Sequence, residues 1–169
     1  KLLKKDKRWG ARDRAFVAET IYDIVRWKRL YAEIAEVYEP FSIHNLRRLF
    51  AVWATLKGIP LPDWGNYFED TPTRRIKGKF DELSKIRKYR ESVPDWLDAL
   101  GEQELGEALW TEELHSLNSL APVVLRVNTL KISRDRLQQL LREEGVESYP
   151  LQQYPDALQL VERSNIFKS

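Results

Sequence analysis

Cysteine and methionine are both absent from this 169-residue sequence, and its seven glycines never lie two residues apart. Without cysteine, the chain has no disulfide, no thiolate metal site and no thiol nucleophile. Neither common form of glycine-rich nucleotide-binding loop is present. No apolar stretch approaches the roughly 18 residues of a membrane span, and the basic N-terminus lacks the apolar core of a signal peptide. The sequence therefore predicts a cytoplasmic chain without membrane contact.

Two further features of the sequence suggest part of a longer protein. Methionine is missing even at position 1, and the sequence ends just after the apolar pair Ile166-Phe167. The composition, 43% hydrophobic and 32% charged, is typical of a globular protein. We therefore expect a folded fragment.

Candidate catalytic and metal-binding groups are sparse. His44 and His115 are isolated within helical segments, without the histidine or cysteine partners that a metal site needs. The carboxylates are scattered along predicted solvent faces, so no general acid/base pair stands out. We therefore predict no catalytic residue, no metal and no cofactor within these 169 residues.

Helical periodicity dominates the first 118 residues. Residues 13–38 predict one long central helix that ends at Glu39-Pro40, and Ser42 predicts the cap of a helix through Lys57 that ends at Gly58. Residues 59–70 predict a loop with anchoring aromatic side chains. Thr71-Pro72 predicts the start of another helix, followed by helices over residues 95–100, closed by Gly101, and 103–118.

The pattern changes after Ala121-Pro122. Residues 123–128 are rich in β-branched side chains and predict a strand, and Ser133 predicts the cap of a helix that ends at Gly145. Residues 146–149 and 157–161 could form further strands. The sequence thus predicts a mainly α protein, with a helical bundle over residues 1–119 and a small α/β segment, strand–helix–strand, over residues 120–169.

Positive charge is concentrated in the first half of the chain. Residues 1–79 hold 17 Lys and Arg against 10 Asp and Glu, whereas residues 80–169 hold 11 against 16. This asymmetry has the sign expected of a surface that binds a polyanion, although uneven charge is also common on helical proteins.

Four basic clusters account for most of this charge. If folding brings several together, they can neutralise phosphates, and Trp9 can stack on an unpaired base. Each cluster alone could equally be a solvated face. The candidate RNA-binding residues are Lys4, Lys5, Lys7, Arg8, Trp9, Arg12, Arg14, Lys28, Arg29, Arg47, Arg48, Arg74, Arg75, Lys77 and Lys79.

Arg126 and Asn128 complete the candidate set. On a strand, positions i and i+2 face the same way, so both polar groups would project together from an apolar run. They could make structural contacts to the helical part, or they could contact a phosphate or a base edge.

Three stretches resemble a known family. The run Arg12 to Arg26 (RDRAFVAETIYDIVR) resembles the opening helix of the NusB-like domain, which occurs alone in an antitermination factor and at the front of RsmB/Sun methyltransferases. Residues 93–97 (VPDWL) and 125–131 (LRVNTLK) resemble elements that only the methyltransferases carry. The chain therefore resembles the N-terminal part of an RsmB/Sun ribosomal RNA cytosine-C5 methyltransferase.

The resemblance implies a larger parent enzyme. Such an enzyme has a NusB-like domain, a small α/β domain and a Rossmann-type domain that binds S-adenosylmethionine and uses cysteines to methylate C5 of a cytosine. The expected partners of this chain are then small-subunit ribosomal RNA and the parent's own C-terminal catalytic domain. A protein–protein adaptor that docks on the catalytic domain, and a NusB-type antitermination factor, are the alternative interpretations.

Overall fold

A computed structural model describes residues 9–64, 67–68 and 71–163 of the chain. Four predicted RNA-binding residues, Lys4, Lys5, Lys7 and Arg8, lie outside the described residues. The chain divides into two units, Lys1–Asn118 and Ser119–Ser169, which are described separately.

The first unit is helical. Its seven helices are α1 (Ala11–Arg26), α2 (Lys28–Ala35), α3 (Ile43–Lys57), α4 (Thr73–Leu83), α5 (Arg87–Arg90), α6 (Asp95–Leu105) and α7 (Glu107–Asn118) within the described part of the chain.

The prediction of one long helix over residues 13–38 is wrong, because the structure forms two helices there. The backbone leaves helical geometry at Trp27 (φ −99°, ψ 19°), and α2 ends at the left-handed Glu36 rather than at Glu39-Pro40. Ile21 and Val25 of α1 are more than half exposed, whereas Leu30 of α2 is buried. The apolar periodicity is thus continuous, but α1 and α2 bury their apolar residues to different extents.

The core of this unit lies between α2 and α3. Its buried side chains include Leu30, Tyr31, Ile34, Leu49, Val52 and Trp53. One hydrogen bond links this core to α1: Trp53 Nε1 donates to Asp23 Oδ2 over 2.8 Å. Burial, together with the Asp23 carboxylate, raises the pKa of Tyr31 well above its usual range.

Sequence signals at the ends of α3 are confirmed. The Ser42 hydroxyl accepts a hydrogen bond from the backbone N–H of Asn45 over 3.2 Å, and Gly58 ends the helix with φ 68°. The loop that follows is anchored by aromatic contacts, as predicted: Phe68 is buried and its ring lies 5.9 Å from that of Phe50. The start of α4 shifts by one position, because Pro72 is its N-cap residue.

The prediction that Gly101 closes a helix is wrong. Helix α6 continues through Gly101 to Leu105, and the break falls at Gly106, whose φ is 76°. A Cβ atom on Gly101 would lie 2.2 Å from the Trp110 ring. The glycine is therefore explained by the close approach of α7, and local sequence rules do not show that contact.

The second unit contains β1 (Val124–Arg126), α8 (Arg134–Glu143), β2 (Ser148–Pro150) and β3 (Ala157–Leu160). The strands form an antiparallel sheet in the order β1-β3-β2, with Leu125 opposite Leu158. Val127, Leu141 and Leu158 form its buried core, and Ser133 caps α8 as predicted. The predicted fold class, mainly α with a small α/β segment, is confirmed.

Candidate nucleic-acid interface

The first unit has a groove of about 390 Å³ formed by α2, α3, α4 and the loop before α4. We call it the arginine groove, after the three arginines among its lining residues. It is lined by Ile34, Ala35, Glu36, His44, Arg47, Arg48, Ala51, Val52, Tyr67, Phe68, Thr71, Pro72, Arg75 and Ile76.

The groove has an apolar floor and a charged rim. Ile34, Ala51, Val52 and Ile76 line it and are all at least 94% buried, so they lie at its base. The charged lining residues come from helix ends and exposed turns of the same elements. An apolar cleft with a few charged groups at its edge is the usual form of a site for a ligand that has both an apolar and a charged part.

One rim arginine is held against an aromatic ring. The guanidinium carbon of Arg47 lies 3.7 Å from the centroid of the Tyr67 ring. Such stacking restricts the guanidinium to one plane and leaves its charge available to an anion. Tyr67 reaches this position because the neighbouring Phe68 is anchored in the aromatic cluster beneath the loop.

A second rim arginine is positioned by a carboxylate. Arg75 Nη2 donates to both oxygens of Glu36 over 2.8 and 2.9 Å, and Lys79 donates to the same carboxylate. The hydrogen bond from Lys79, with the nearby Arg75, lowers the pKa of the Glu36 carboxyl. Glu36 also offsets part of the positive charge, so the groove combines three arginines with one acidic group.

This arrangement unites two of the predicted basic clusters. Arg47 and Arg48 come from α3 and Arg75 from α4, and all three line one groove. Arg74 and Lys77 belong to the same stretch of α4, but neither lines it. The sequence could not show which member of that run would face α3.

Lys28 and Arg29 lie elsewhere, beside a different groove. Lys28 pairs with Glu39, while Arg29 donates to the Val93 carbonyl oxygen and the Asp95 carboxylate. Arg29 therefore ties α2 to the segment before α6. These contacts give both side chains a structural role, and their contact with RNA stays a prediction.

Trp9, Arg12 and Arg14 lie at the beginning of α1. Arg14 donates to the Trp9 carbonyl oxygen, and Trp9 is 37% exposed. None of the three lines the arginine groove. Their part in RNA binding likewise stays a prediction.

Arg126 and Asn128 do not share a strand face. Strand β1 ends at Arg126, whose Nε lies 3.1 Å from Asp156 Oδ2 while its side chain is 88% exposed. Asn128 follows the strand, and its side-chain oxygen accepts from the backbone N–H of Leu130 over 3.2 Å. The prediction that both side chains project from one strand face is therefore wrong, because strand alternation does not extend beyond Arg126.

The groove also contains residues that the sequence did not single out. In the sequence, Tyr67 is one of several aromatic residues in the loop over residues 59–70, and His44 is an isolated histidine. Glu36 sits at the end of α2, within a stretch predicted to be uninterrupted helix. The cluster of aromatics between two basic helices was the one available signal for Tyr67.

The small sheet of the second unit is not of the Rossmann type. A Rossmann-type cofactor site needs a parallel sheet with a glycine-rich turn into a helix, whereas the sheet here is antiparallel. Over residues 9–64, 67–68 and 71–163, no cluster of three or more potential metal ligands occurs. In the same ranges, no helix has both the length and the apolar character to cross a membrane.

Part of the chain is similar to a known protein family. Residues 93–167 match the family described as Methyltr_RsmF/B-like, ferredoxin-like domain. The match begins at Val93, the first residue of the VPDWL element, and includes residues 125–131. The resemblance to an RsmB/Sun-like methyltransferase fragment is thereby confirmed.

A solved structure shares the fold of the whole chain. The crystal structure of PH0851 superposes with a TM-score of 0.59 at 21% identity, covering 99% of this chain. This chain spans 44% of the length of PH0851. No curated protein matches the sequence significantly. At this identity the likeness to PH0851 establishes the fold alone.

Proposed function

We propose that this chain, of which residues 93–167 match the ferredoxin-like domain of RsmF/B-like methyltransferases, binds and positions RNA for a methyltransferase. The first unit would be a NusB-like RNA-binding domain, and the second would begin the linker domain of the parent enzyme. The substrate would be small-subunit ribosomal RNA, and the parent would transfer a methyl group from S-adenosylmethionine to C5 of a cytosine.

The observation that carries the proposal is the convergence of Arg47, Arg48 and Arg75 on one groove. Guanidinium groups bind phosphates through paired N–H donors, and several in one place give the salt-dependent affinity typical of RNA-binding surfaces. Arg47 is already oriented by the Tyr67 ring, and Arg75 by Glu36. Preoriented side chains lose less conformational freedom when the RNA binds.

The chain itself contributes binding and orientation, and no chemical step. Cysteine is absent from its sequence, so the thiolate that must add to the cytosine ring comes from another part of the parent enzyme. S-adenosylmethionine bound there would supply the methyl group.

Charge reversal of the groove tests the proposal. We expect Arg47→Glu with Arg48→Glu to lower affinity for a small-subunit rRNA fragment roughly tenfold or more at about 0.1 M salt, because phosphate contacts are lost. The matched control is Arg136→Glu with Arg142→Glu on α8, which changes the net charge equally. Equal affinity of both double variants and the parent chain, with helical content unchanged, would contradict the proposal.

The exposed apolar face of α1 favours a second candidate function. Ile21, Tyr22 and Val25 are between 55% and 75% exposed. A face of this kind is typical of surfaces that bind proteins. In an adaptor, α1 would dock on the parent's catalytic domain, and the charge reversal above would leave RNA binding unchanged.

A further inference from the structure

We propose that the arginine groove holds one unpaired nucleotide of the bound RNA. The base would enter the groove and contact its apolar floor and the Tyr67 side, while the adjoining phosphates would lie on the rim arginines. The proposal rests on the proposed function, because it names the part of the RNA that this surface recognises.

The floor of the groove suits a planar aromatic group. Val52 and Ile76 are 98% and 95% buried and both line the groove, so an inserted group would meet an apolar surface at its base. The volume of about 390 Å³ lies within the range of about 300–1,000 Å³ of small-ligand sites. Phosphates alone would not use this floor, whereas a base attached to them would.

The stacked pair of Arg47 and Tyr67 offers flat surfaces for a base. RNA-binding proteins hold unpaired bases on aromatic rings and on arginine guanidinium planes. The wall of the groove has one of each, because the guanidinium carbon of Arg47 lies 3.7 Å from the centroid of the Tyr67 ring. A base within a duplex is already stacked on both faces, so the groove would select single-stranded RNA.

The rim groups suit the charge of the attached phosphates. Arg48 is exposed on α3, and Arg75 is exposed on α4 with its guanidinium held by Glu36. An RNA strand that inserts one base into the groove has a phosphate on either side of that base. Arginines from two helices would be within reach of these phosphates. An acidic peptide would pair with the same arginines but would present no flat group to Tyr67.

Photo-crosslinking to a single modified base tests the inference. The probe is a 12-nucleotide oligouridine with one 5-iodouridine, a base that crosslinks to aromatic rings it touches. With the full chain, we expect a crosslinked peptide that contains Tyr67. We also expect the single strand to bind more tightly than a duplex of equal length.

Variants at exposed tyrosines add a quantitative test. Tyr67→Ala should weaken oligouridine binding roughly 5- to 100-fold, the usual effect of losing one base-stacking ring, and Tyr67→Phe should restore it. Tyr38→Ala is the matched control, since Tyr38 is 70% exposed and does not line the arginine groove. Circular dichroism of each variant checks that the helices are intact.

The outcomes separate this inference from the proposed function. RNA binding with crosslinks only outside the groove, and with Tyr67→Ala equal to Tyr38→Ala, would overturn the inference and leave the proposed function standing. No binding of any RNA would overturn both. Binding of an oligoglutamate peptide in place of RNA, lost in Arg48→Glu, would show that the groove takes an acidic protein segment.

Discussion

At the scale of single residues, Gly101 shows how one missing side chain lets two helices meet. The Trp110 ring of α7 lies directly where a Cβ atom of Gly101 would be, and the Trp110 Nε1 donates to Asp98 over 3.1 Å. The indole is thus fixed by a hydrogen bond on one side and by close packing on the other. A methyl group at position 101 cannot be accommodated by a flexible neighbour.

Replacing this glycine tests the contact. Gly101→Ala should lower the free energy of unfolding by about 1–3 kcal/mol, because overpacking forces the helices apart. Gly78→Ala on α4 is the matched control, since open space surrounds that position. Its expected effect is opposite, a gain of about 0.5–1 kcal/mol from higher helix propensity. Urea unfolding measures both, and a stabilising Gly101→Ala would contradict the packing.

In the arginine groove, too, the role of a residue depends on the residues that it contacts. The charge of Arg47 and Arg48 marks them as candidates in the sequence. Tyr67 is marked only by the aromatic residues around it in the loop, and Glu36 by no sequence feature. Both residues orient an arginine of the groove, since Tyr67 stacks on Arg47 and Glu36 accepts a hydrogen bond from Arg75. Contacts between residues so far apart in sequence depend on tertiary packing, which local patterns do not encode.

At the scale of elements, Arg87 connects three helices. From α5 it donates to Asp98 over 2.7 Å and to Glu102, both on α6, and Asp98 accepts from Trp110 of α7. Burial alone would raise the pKa of Asp98, but the hydrogen bonds from Arg87 and Trp110 outweigh it and lower that pKa below its ordinary value of 3.8.

The lowered pKa of Asp98 makes this connection dependent on pH. A carboxyl with a lower pKa in the folded state contributes stability above its unfolded pKa, and that contribution is lost as pH falls through the folded value. Asp98→Asn should therefore cost about 1.5–3 kcal/mol at pH 7, with the difference from the parent shrinking below pH 3.8. Thermal unfolding across pH measures this.

The matched control for Asp98 lies on the same helix. Glu104→Gln removes the charge of an exposed carboxylate on α6. We expect its unfolding free energy to stay within about 0.5 kcal/mol of the parent at all pH values, as for surface substitutions in general. A pH-independent effect of Asp98→Asn would show that its ion pair with Arg87 does not stabilise the fold.

Element types and caps were predictable, whereas breaks within helical stretches were not. Ser42, Ser133 and Gly58 act locally, through bonds or dihedral angles within a few residues, and all three were confirmed. The break at Trp27 has no such local signal, and the continuation through Gly101 goes with the approach of Trp110 from the next helix. Periodicity alone cannot distinguish one long helix from two that bury different residues.

At the scale of the whole molecule, the charge asymmetry of the sequence corresponds to a surface feature of the first unit. The basic clusters do not all converge: two meet in the arginine groove, while Lys28 and Arg29 pair with acidic residues. The composition indicates a partner of negative charge, but only the fold shows which arginines share one surface. The match over residues 93–167 adds a likeness to the ferredoxin-like domain of RsmF/B-like methyltransferases.

The salt dependence of RNA binding tests the central claim most directly. The affinity for a single-stranded rRNA fragment should fall steeply from about 50 to 200 mM salt, with a log–log slope of about −0.7 for each phosphate neutralised. Three groove arginines predict a slope of about −2 or steeper, and Arg47→Glu with Arg48→Glu should flatten it. An affinity that stays constant across this range would contradict the account.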